Sequence, residues 1–164
     1  MARRARTRRH CGPAFWLVAC VWAAILGGAH GAFTEVASEA GIDFHHATGA
    51  VGDRYLPETM GSGCAFLDFD DDGLLDILFA NGRGWDADPD DPTPRLYRNV
   101  GGGRFTDATR AAGLAHSMYG MALATADIDN DGDSDVFFSN VGRDRLFRNR
   151  GDGTVEDSTR ESGI

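Results

Sequence analysis

The chain has 164 residues, with 16 basic side chains, all arginine, against 25 acidic ones, giving a formal charge of -9 at pH 7. The five arginines from Arg3 to Arg9 precede the first acidic residue, Glu35, so the remaining 11 basic groups face 25 acidic ones, and this balance of -14 argues against a nucleic-acid partner. With 22 Gly, only 5 Pro and 42% hydrophobic residues, the composition points to a turn-dense β protein with a core more than to a disordered tract.

Residues 1–31 have the layout of a secretory signal: a basic stretch, an apolar run from Ala14 to Leu26, then Gly27, Gly28, Ala29 and Gly31, with cleavage expected near Gly31. The apolar run has 13 residues, whereas a bilayer-spanning helix needs about 20, so no membrane span is expected after signal removal. Leu17-Val18-Ala19-Cys20 resembles a lipoprotein cleavage box, but cleavage there would leave Val21 to Leu26 at the mature terminus. The expected location is therefore secreted, or periplasmic and cell-surface. Cys11 and Cys20 fall inside the signal, which leaves Cys64 alone and rules out an intrachain disulfide framework. In Gly63-Cys64-Ala65-Phe66-Leu67 the cysteine reads as a small buried hydrophobe, so metal ions are the obvious substitute staple.

Residues 32–62 read as an N-terminal strand and linking segment, because Phe33 to Ile42 parallels Phe105 to Leu114 and Val155 to Ile164. His45 and His46, with Asp43 and Glu58 nearby, form an imaginable metal or acid-base cluster. No further His or Cys follows at ligand spacing, so locally hydrogen-bonded loop histidines are the favoured reading, for His116 as well.

Beyond residue 62 the chain repeats. Leu96-Tyr97-Arg98-Asn99-Val100-Gly101-Gly102-Gly103 recurs 50 residues later as Leu146-Phe147-Arg148-Asn149-Arg150-Gly151-Asp152-Gly153, and the acidic stretch beginning at Asp68 recurs 59 residues later at Asp127. The difference of nine residues sits in 82–94, an Asp- and Pro-rich stretch that reads as a longer surface loop. Strands are predicted over Cys64–Phe69 and Met121–Ile128 into the acidic loops, Ile77–Ala80 and Val136–Ser139 out of them, then Leu96–Asn99 and Leu146–Asn149, with Phe105 or Val155 opening a fourth after a glycine hairpin. Four strands per unit make a propeller blade, over 63–118 and again over 119–164, and each tail reads as one helical turn closed by Gly113 or Gly163.

Both acidic loops fit D-x-D-x-D-G-x-x-D, in which alternate carboxylates converge on a hard cation once glycine permits the turn. The candidate donors are Asp68, Asp70, Asp72 and Asp76 with the carbonyl of Leu74, and Asp127, Asp129, Asp131 and Asp135 with the carbonyl of Asp133. An all-oxygen anionic set points to Ca²⁺, one ion per loop, held structurally with dissociation constants on the order of 10⁻⁴ to 10⁻³ M. The plainer alternative is a pair of acidic hairpin loops, against which stand the repeated spacing and the mutual repulsion of so many carboxylates. These are not EF-hands, because position twelve is Phe79 or Phe138 within an apolar strand pattern. The side chains of Asp71, Asp133 and Asp144 read as field or solubility groups, and Arg98 and Arg148 as solvated strand residues more than as ion-pair partners.

The run Glu58-Thr59-Met60-Gly61-Ser62-Gly63-Cys64-Ala65-Phe66-Leu67-Asp68-Phe69-Asp70 and the Leu-aromatic-Arg-Asn-x-Gly-x-Gly repeats resemble the FG-GAP or VCBS repeats of the cartilage-acidic-protein-like (ASPIC and UnbV) proteins, over nearly all of residues 33–164. The resemblance implies an all-β, integrin-α-like propeller of four-stranded antiparallel blades in a secreted protein, with Ca²⁺ at the loop positions named above. The Phe-Gly and Gly-Ala-Pro marks of integrin blades are replaced by Phe79-Ala80-Asn81 and Phe138-Ser139-Asn140. Two blades and an N-terminal strand leave a ring of about seven incomplete, so further blades of a longer protein are expected partners.

No nucleophile elbow, phosphate-cradling loop or HExxH stands out, so the expected function is non-catalytic: an adhesion or interaction module contacting an extracellular protein or carbohydrate. The alternatives are the scaffold of an exported enzyme and a dockerin-like calcium module, the latter disfavoured by strand-type residues after both loops.

Overall fold

Short runs of alternating apolar residues, punctuated by Gly and Asp, set eight strands in two antiparallel sheets among the described residues. In the computed structural model the described residues are 33–86, 88 and 92–164. The predicted signal at 1–31 lies outside them. β1 (Cys64–Leu67), β2 (Asp76–Phe79), β3 (Arg95–Asn99) and β4 (Phe105–Asp107) form the first sheet in chain order. β5 (Gly120–Ala126), β6 (Asp135–Asn140), β7 (Arg145–Asn149) and β8 (Val155–Asp157) form the second in the same way. Each is the meander of a propeller blade, and the two sheets do not close into a ring. Among the described residues no helix is long and apolar enough to cross a membrane.

The third strands carry the densest packing. Leu96 and Tyr97 are both buried, as are Leu146 and Phe147, so each of these strands is covered on both faces. Leu67, Phe69, Leu78, Ala80 and Leu96 of the first blade pack with Val136, Phe138 and Phe147 of the second in one core. Backbone bonds join the sheets where the chain is bare of side chains. Gly63 N–H donates to Met121 O at 3.1 Å and Gly120 N–H to Asn81 O at 2.8 Å. A Cβ on Gly63 would stand 3.0 Å from Leu123 N, so glycine permits this approach. A side-chain bond adds to these, from Asn149 Nδ2 to Phe69 O at 3.0 Å.

Three helical turns follow the repeat logic: α1 (Ala37–Ala40), α2 (Thr109–Ala112) and α3 (Thr159–Ser162). Each ends on a glycine in the left-handed region, Gly41, Gly113 or Gly163. Since β2 and β6, not helices, leave the acidic loops, the dockerin-like alternative fails.

Several expectations are corrected. Phe33–Glu35 forms no strand among the described residues, because an extended segment without a ladder partner is not a sheet strand; only the helical turn of that echo is realised, as α1. Cys64 is exposed, since β1 alternates and buries Leu67 while leaving Cys64 and Phe66 on its open side. β1 and β5 stop before Phe69 and Ile128, whose N–H groups turn aside to the carboxylates of Asp76 and Asp135.

The strand-to-helix corners are held by carboxylates. Asp107 Oδ1 accepts the Thr109 N–H at 2.9 Å and its other oxygen pairs with Arg95; Asp157 repeats this with Thr159 at 3.1 Å and Arg145 at 3.0 Å. Burial alone raises these carboxyls, but the threonine hydrogen bonds and the guanidinium outweigh it and hold both below the ordinary value of 3.8. A carboxyl depressed in the folded state stabilises above its unfolded pKa and loses that contribution as the pH falls through its folded one. Asp107→Asn with Asp157→Asn is therefore expected to flatten the loss of thermal stability between about pH 5 and about pH 2. Melting curves across that range check it, and an unchanged slope would count against the assignment.

Candidate metal centre

Each acidic loop is shaped by its own carboxylates accepting backbone N–H groups. In the first, Asp68 Oδ1 and Oδ2 accept from Asp72 at 3.1 Å and Gly73 at 2.8 Å, and Asp72 Oδ1 accepts from Leu74 at 2.9 Å. In the second, Asp127 accepts from Asp131 at 3.2 Å and Gly132 at 3.1 Å, and Asp131 from Asp133 at 3.0 Å. The curl needs two left-handed positions per loop. Position six is Gly73 (φ 83°) or Gly132 (φ 103°), and position four is Asp71 (φ 55°) or Asn130 (φ 60°), residue types that tolerate this region.

The ninth position closes the loop from the outgoing strand. Asp76 is fully buried; its Oδ2 accepts the Phe69 N–H at 3.0 Å and its Oδ1 the Asn99 N–H at 2.7 Å. Asp135 does the same with Ile128 at 2.9 Å and Asn149 at 2.8 Å. Asn99 and Asn149 reach back through Nδ2 to Leu75 O at 3.0 Å and Ser134 O at 3.3 Å. Loop and third strand are thus tied by a carboxylate in one direction and an amide in the other.

This folding brings together Asp68, Asp70 and Asp76, and Asp127, Asp129 and Asp135, each trio offering oxygens within 4.8 Å of one another. Asp72 and Asp131 stand outside the trios, with Leu74 exposed beside the first loop and Asp133 half-buried beside the second. Arg98 Nε pairs with Asp70 Oδ2 at 2.8 Å and Arg148 Nε with Asp129 Oδ2 at 2.8 Å, which overturns the expectation that both arginines are merely solvated. Asp70 Oδ1 is left buried with no hydrogen-bond partner. Such an oxygen in a carboxylate cluster is what a cation satisfies.

The electrostatics agree. Burial raises the Asp76 carboxyl, and the charges of Asp70 and Asp72 push the same way, against the N–H bonds from Asn99 and Phe69. Desolvation and the crowding of Asp131, Asp71, Asp127 and Asp135 likewise raise Asp133. A cation would relieve this crowding, and an all-oxygen donor set without imidazole or thiolate suits a hard one. The acidic clusters could therefore hold a metal ion.

The arginine and asparagine contributions were not assigned from sequence, although their signal was present in the Leu-aromatic-Arg-Asn recurrence at a spacing of 50. The imagined histidine cluster does not assemble. His46 Nε2 lies 2.9 Å from Ser62 Oγ, Asp43 accepts the Tyr97 hydroxyl at 2.6 Å, and Glu58 accepts the Trp85 indole N–H at 2.8 Å. His116 packs against the Phe147 ring at 5.4 Å.

The family model for the FG-GAP-like repeat matches residues 68–138 and 127–163. Cartilage acidic protein 1 of Homo sapiens is 30% identical over 131 residues, covering 72% of this chain and 16% of that protein. Its counterparts in Mus musculus and Xenopus tropicalis are 32% and 31% identical over 127 residues, covering 73% and 72% of this chain. The chain spans 16% of the length of each of these relatives.

Asp76→Ala strands two N–H groups at the loop base, so it is expected to lower unfolding free energy by about 2 kcal/mol or more in chelator. Arg98→Gln, at a half-exposed pair, is expected to cost about 1 kcal/mol or less. Urea titrations in chelator measure both; equal losses would show that position nine has no special structural part.

Proposed function

Because the chain belongs to the FG-GAP-like repeat family, we propose that it is an exported, non-catalytic interaction module whose two acidic loops each hold a Ca²⁺ ion. The observation that carries this reading is the doubled carboxylate trio, with Asp70 Oδ1 buried and unpartnered in the first. Asp68, Asp70 and Asp76, and Asp127, Asp129 and Asp135, form the core of the proposed donor sets. Asp72 and Asp131, with the carbonyls of Leu74 and Asp133, complete them. Mg²⁺ retains more of its water than such a carboxylate-lined loop favours, and Zn²⁺ prefers nitrogen or sulfur.

Bound calcium supplies positive charge and nothing else to this chemistry. The loops already hold their curl through backbone N–H bonds, so the ion adds to the fold and does not create it. Arg98 and Arg148 neutralise one carboxylate per loop, which keeps the expected affinity modest, on the order of 10⁻⁴ to 10⁻³ M. At free Ca²⁺ tenfold above the dissociation constant each site stabilises the fold by roughly 1.4 kcal/mol.

Extracellular placement is supported by the signal-like layout of residues 1–31 and by relatives named for cartilage and for acidity, the latter matching this chain's charge of -9. The proposed partners are an extracellular protein or carbohydrate and, in a longer protein, further blades.

Calorimetry with Ca²⁺ on chelator-treated protein, with circular dichroism alongside, is expected to show two sites of sub-millimolar to millimolar affinity. Asp72→Ala, which also removes the acceptor of the Leu74 N–H, is expected to lower the melting temperature more in Ca²⁺ than in chelator. Absence of binding in a folded sample would overturn the calcium reading.

A further inference from the structure

The two hairpins that join the third and fourth strands share one frame and differ in what it carries. In the first blade the turn is Gly101-Gly102-Gly103, all left-handed at φ 80°, 63° and 72°, so it bears no side chain. In the second it is Gly151-Asp152-Gly153, with left-handed glycines at φ 67° and 78° on either side of the aspartate. The residue before the turn is Val100 in one blade and Arg150 in the other, so the hairpin itself requires neither charge. Arg150, Gly151 and Asp152 are therefore consecutive at a hairpin tip, and all three are exposed.

The tip is held from within. Arg150 N–H donates to Thr154 O at 3.1 Å across the turn, and Asn149 Oδ1 accepts the Gly151 N–H at 3.2 Å. Asp152 Oδ1 accepts the Thr154 N–H at 3.0 Å and the Thr154 hydroxyl as well. Beneath it the turn leans on the second acidic loop, where a Cβ on Gly151 would stand 2.4 Å from Asp133 Oδ2. A carboxylate fixed in this way loses little freedom when a partner takes hold of it. The Thr154 hydrogen bonds keep the Asp152 carboxyl below its ordinary value, so it is charged at neutral pH, and both go to Oδ1. Arg150 Nη2 pairs with Glu156 Oε2 at 2.9 Å, but the two side chains are 52% and 50% exposed, and a pair so open to solvent is readily exchanged for a better one.

We propose that the Arg150-Gly151-Asp152 tip is a docking site for an adhesion receptor that takes the aspartate on a receptor-bound divalent cation and the arginine in an acidic pocket. Two opposite charges separated by one glycine select such a partner. A surface of one sign, such as an anionic membrane or an acidic glycan, attracts Arg150 and repels Asp152. A cation with an open coordination position accepts a carboxylate oxygen from a second protein, and the guanidinium fork meets carboxylates through two parallel bonds. The site is a projecting turn, which enters a cleft of another protein and does not enclose a small molecule. The glycine-only hairpin of the first blade has the same frame without either group, so the second blade alone carries the site. This inference rests on the reading of the chain as an exported interaction module and names the class of its partner.

The test is binding of the folded, immobilised protein to a purified integrin that recognises linear Arg-Gly-Asp peptides, in the presence of Mg²⁺ and Ca²⁺. Binding is expected, with displacement by a Gly-Arg-Gly-Asp-Ser peptide and none by Gly-Arg-Gly-Glu-Ser. Asp152→Asn keeps the acceptor for Thr154 and removes the charge, whereas Asp152→Glu keeps the charge and lengthens its reach; each is expected to weaken binding about tenfold or more. Glu156→Gln releases Arg150 from its internal pair and is expected to strengthen binding about twofold. All three positions are exposed, so melting temperatures are expected to stay close to that of the parent. The proposal is overturned if the integrin binds the linear peptide and not the protein, if the peptide fails to displace the protein, or if Asp152→Asn binds as the parent does. Weaker binding by Glu156→Gln counts against the exchange of Arg150 and overturns its part in the site. Calcium titration of the protein without receptor judges the acidic loops separately, and an interaction module with another kind of partner survives a negative result here.

Discussion

A buried carboxylate at the first residue of the outgoing strand organises each blade. Asp76 and Asp135 each accept one N–H from the loop and one from the end of the third strand, so a single side chain fixes where the loop begins, how the strands align and where the remaining acids point. The cost of burying such a group is offset only when both oxygens are used. Phe69 and Ile128 leave the strand ladder for this reason, and the convergence of positions one, three and nine follows from it.

The loops therefore take their shape from hydrogen bonds that exist without a cation. Backbone amides hold Asp68 and Asp127, arginines hold Asp70 and Asp129, and the remaining electrostatic cost appears as raised carboxyls at Asp76 and Asp133. Preorganisation of this kind separates two tasks that a flexible acidic loop would have to perform at once, folding and neutralisation.

Much of this was legible in the sequence because it is written twice. The D-x-D-x-D-G-x-x-D spacing, the hairpin glycines Gly101 to Gly103 and the closing Gly113 and Gly163 each require one backbone shape, and repetition separates them from chance. What was not legible depends on partners distant in the chain. Cys64 looked buried from its apolar neighbours, yet strand alternation and the position of the second sheet decide its face. Phe33 resembled Phe105, but a strand exists only beside another. Arg98 looked like a surface residue until the curl of the loop placed Asp70 against it, 28 positions away.

Asn149 deserves a last consequence, since its amide spans units: Nδ2 reaches Ser134 O in its own loop and Phe69 O in the preceding one. The closing bond of one repeat is thus supplied by the next. Duplication or loss of a whole unit regenerates the bond, whereas a crossover at any other length leaves a buried amide or carbonyl without its mate. A surface loop such as 82–94 touches neither partner of this bond, so length can vary there without breaking it.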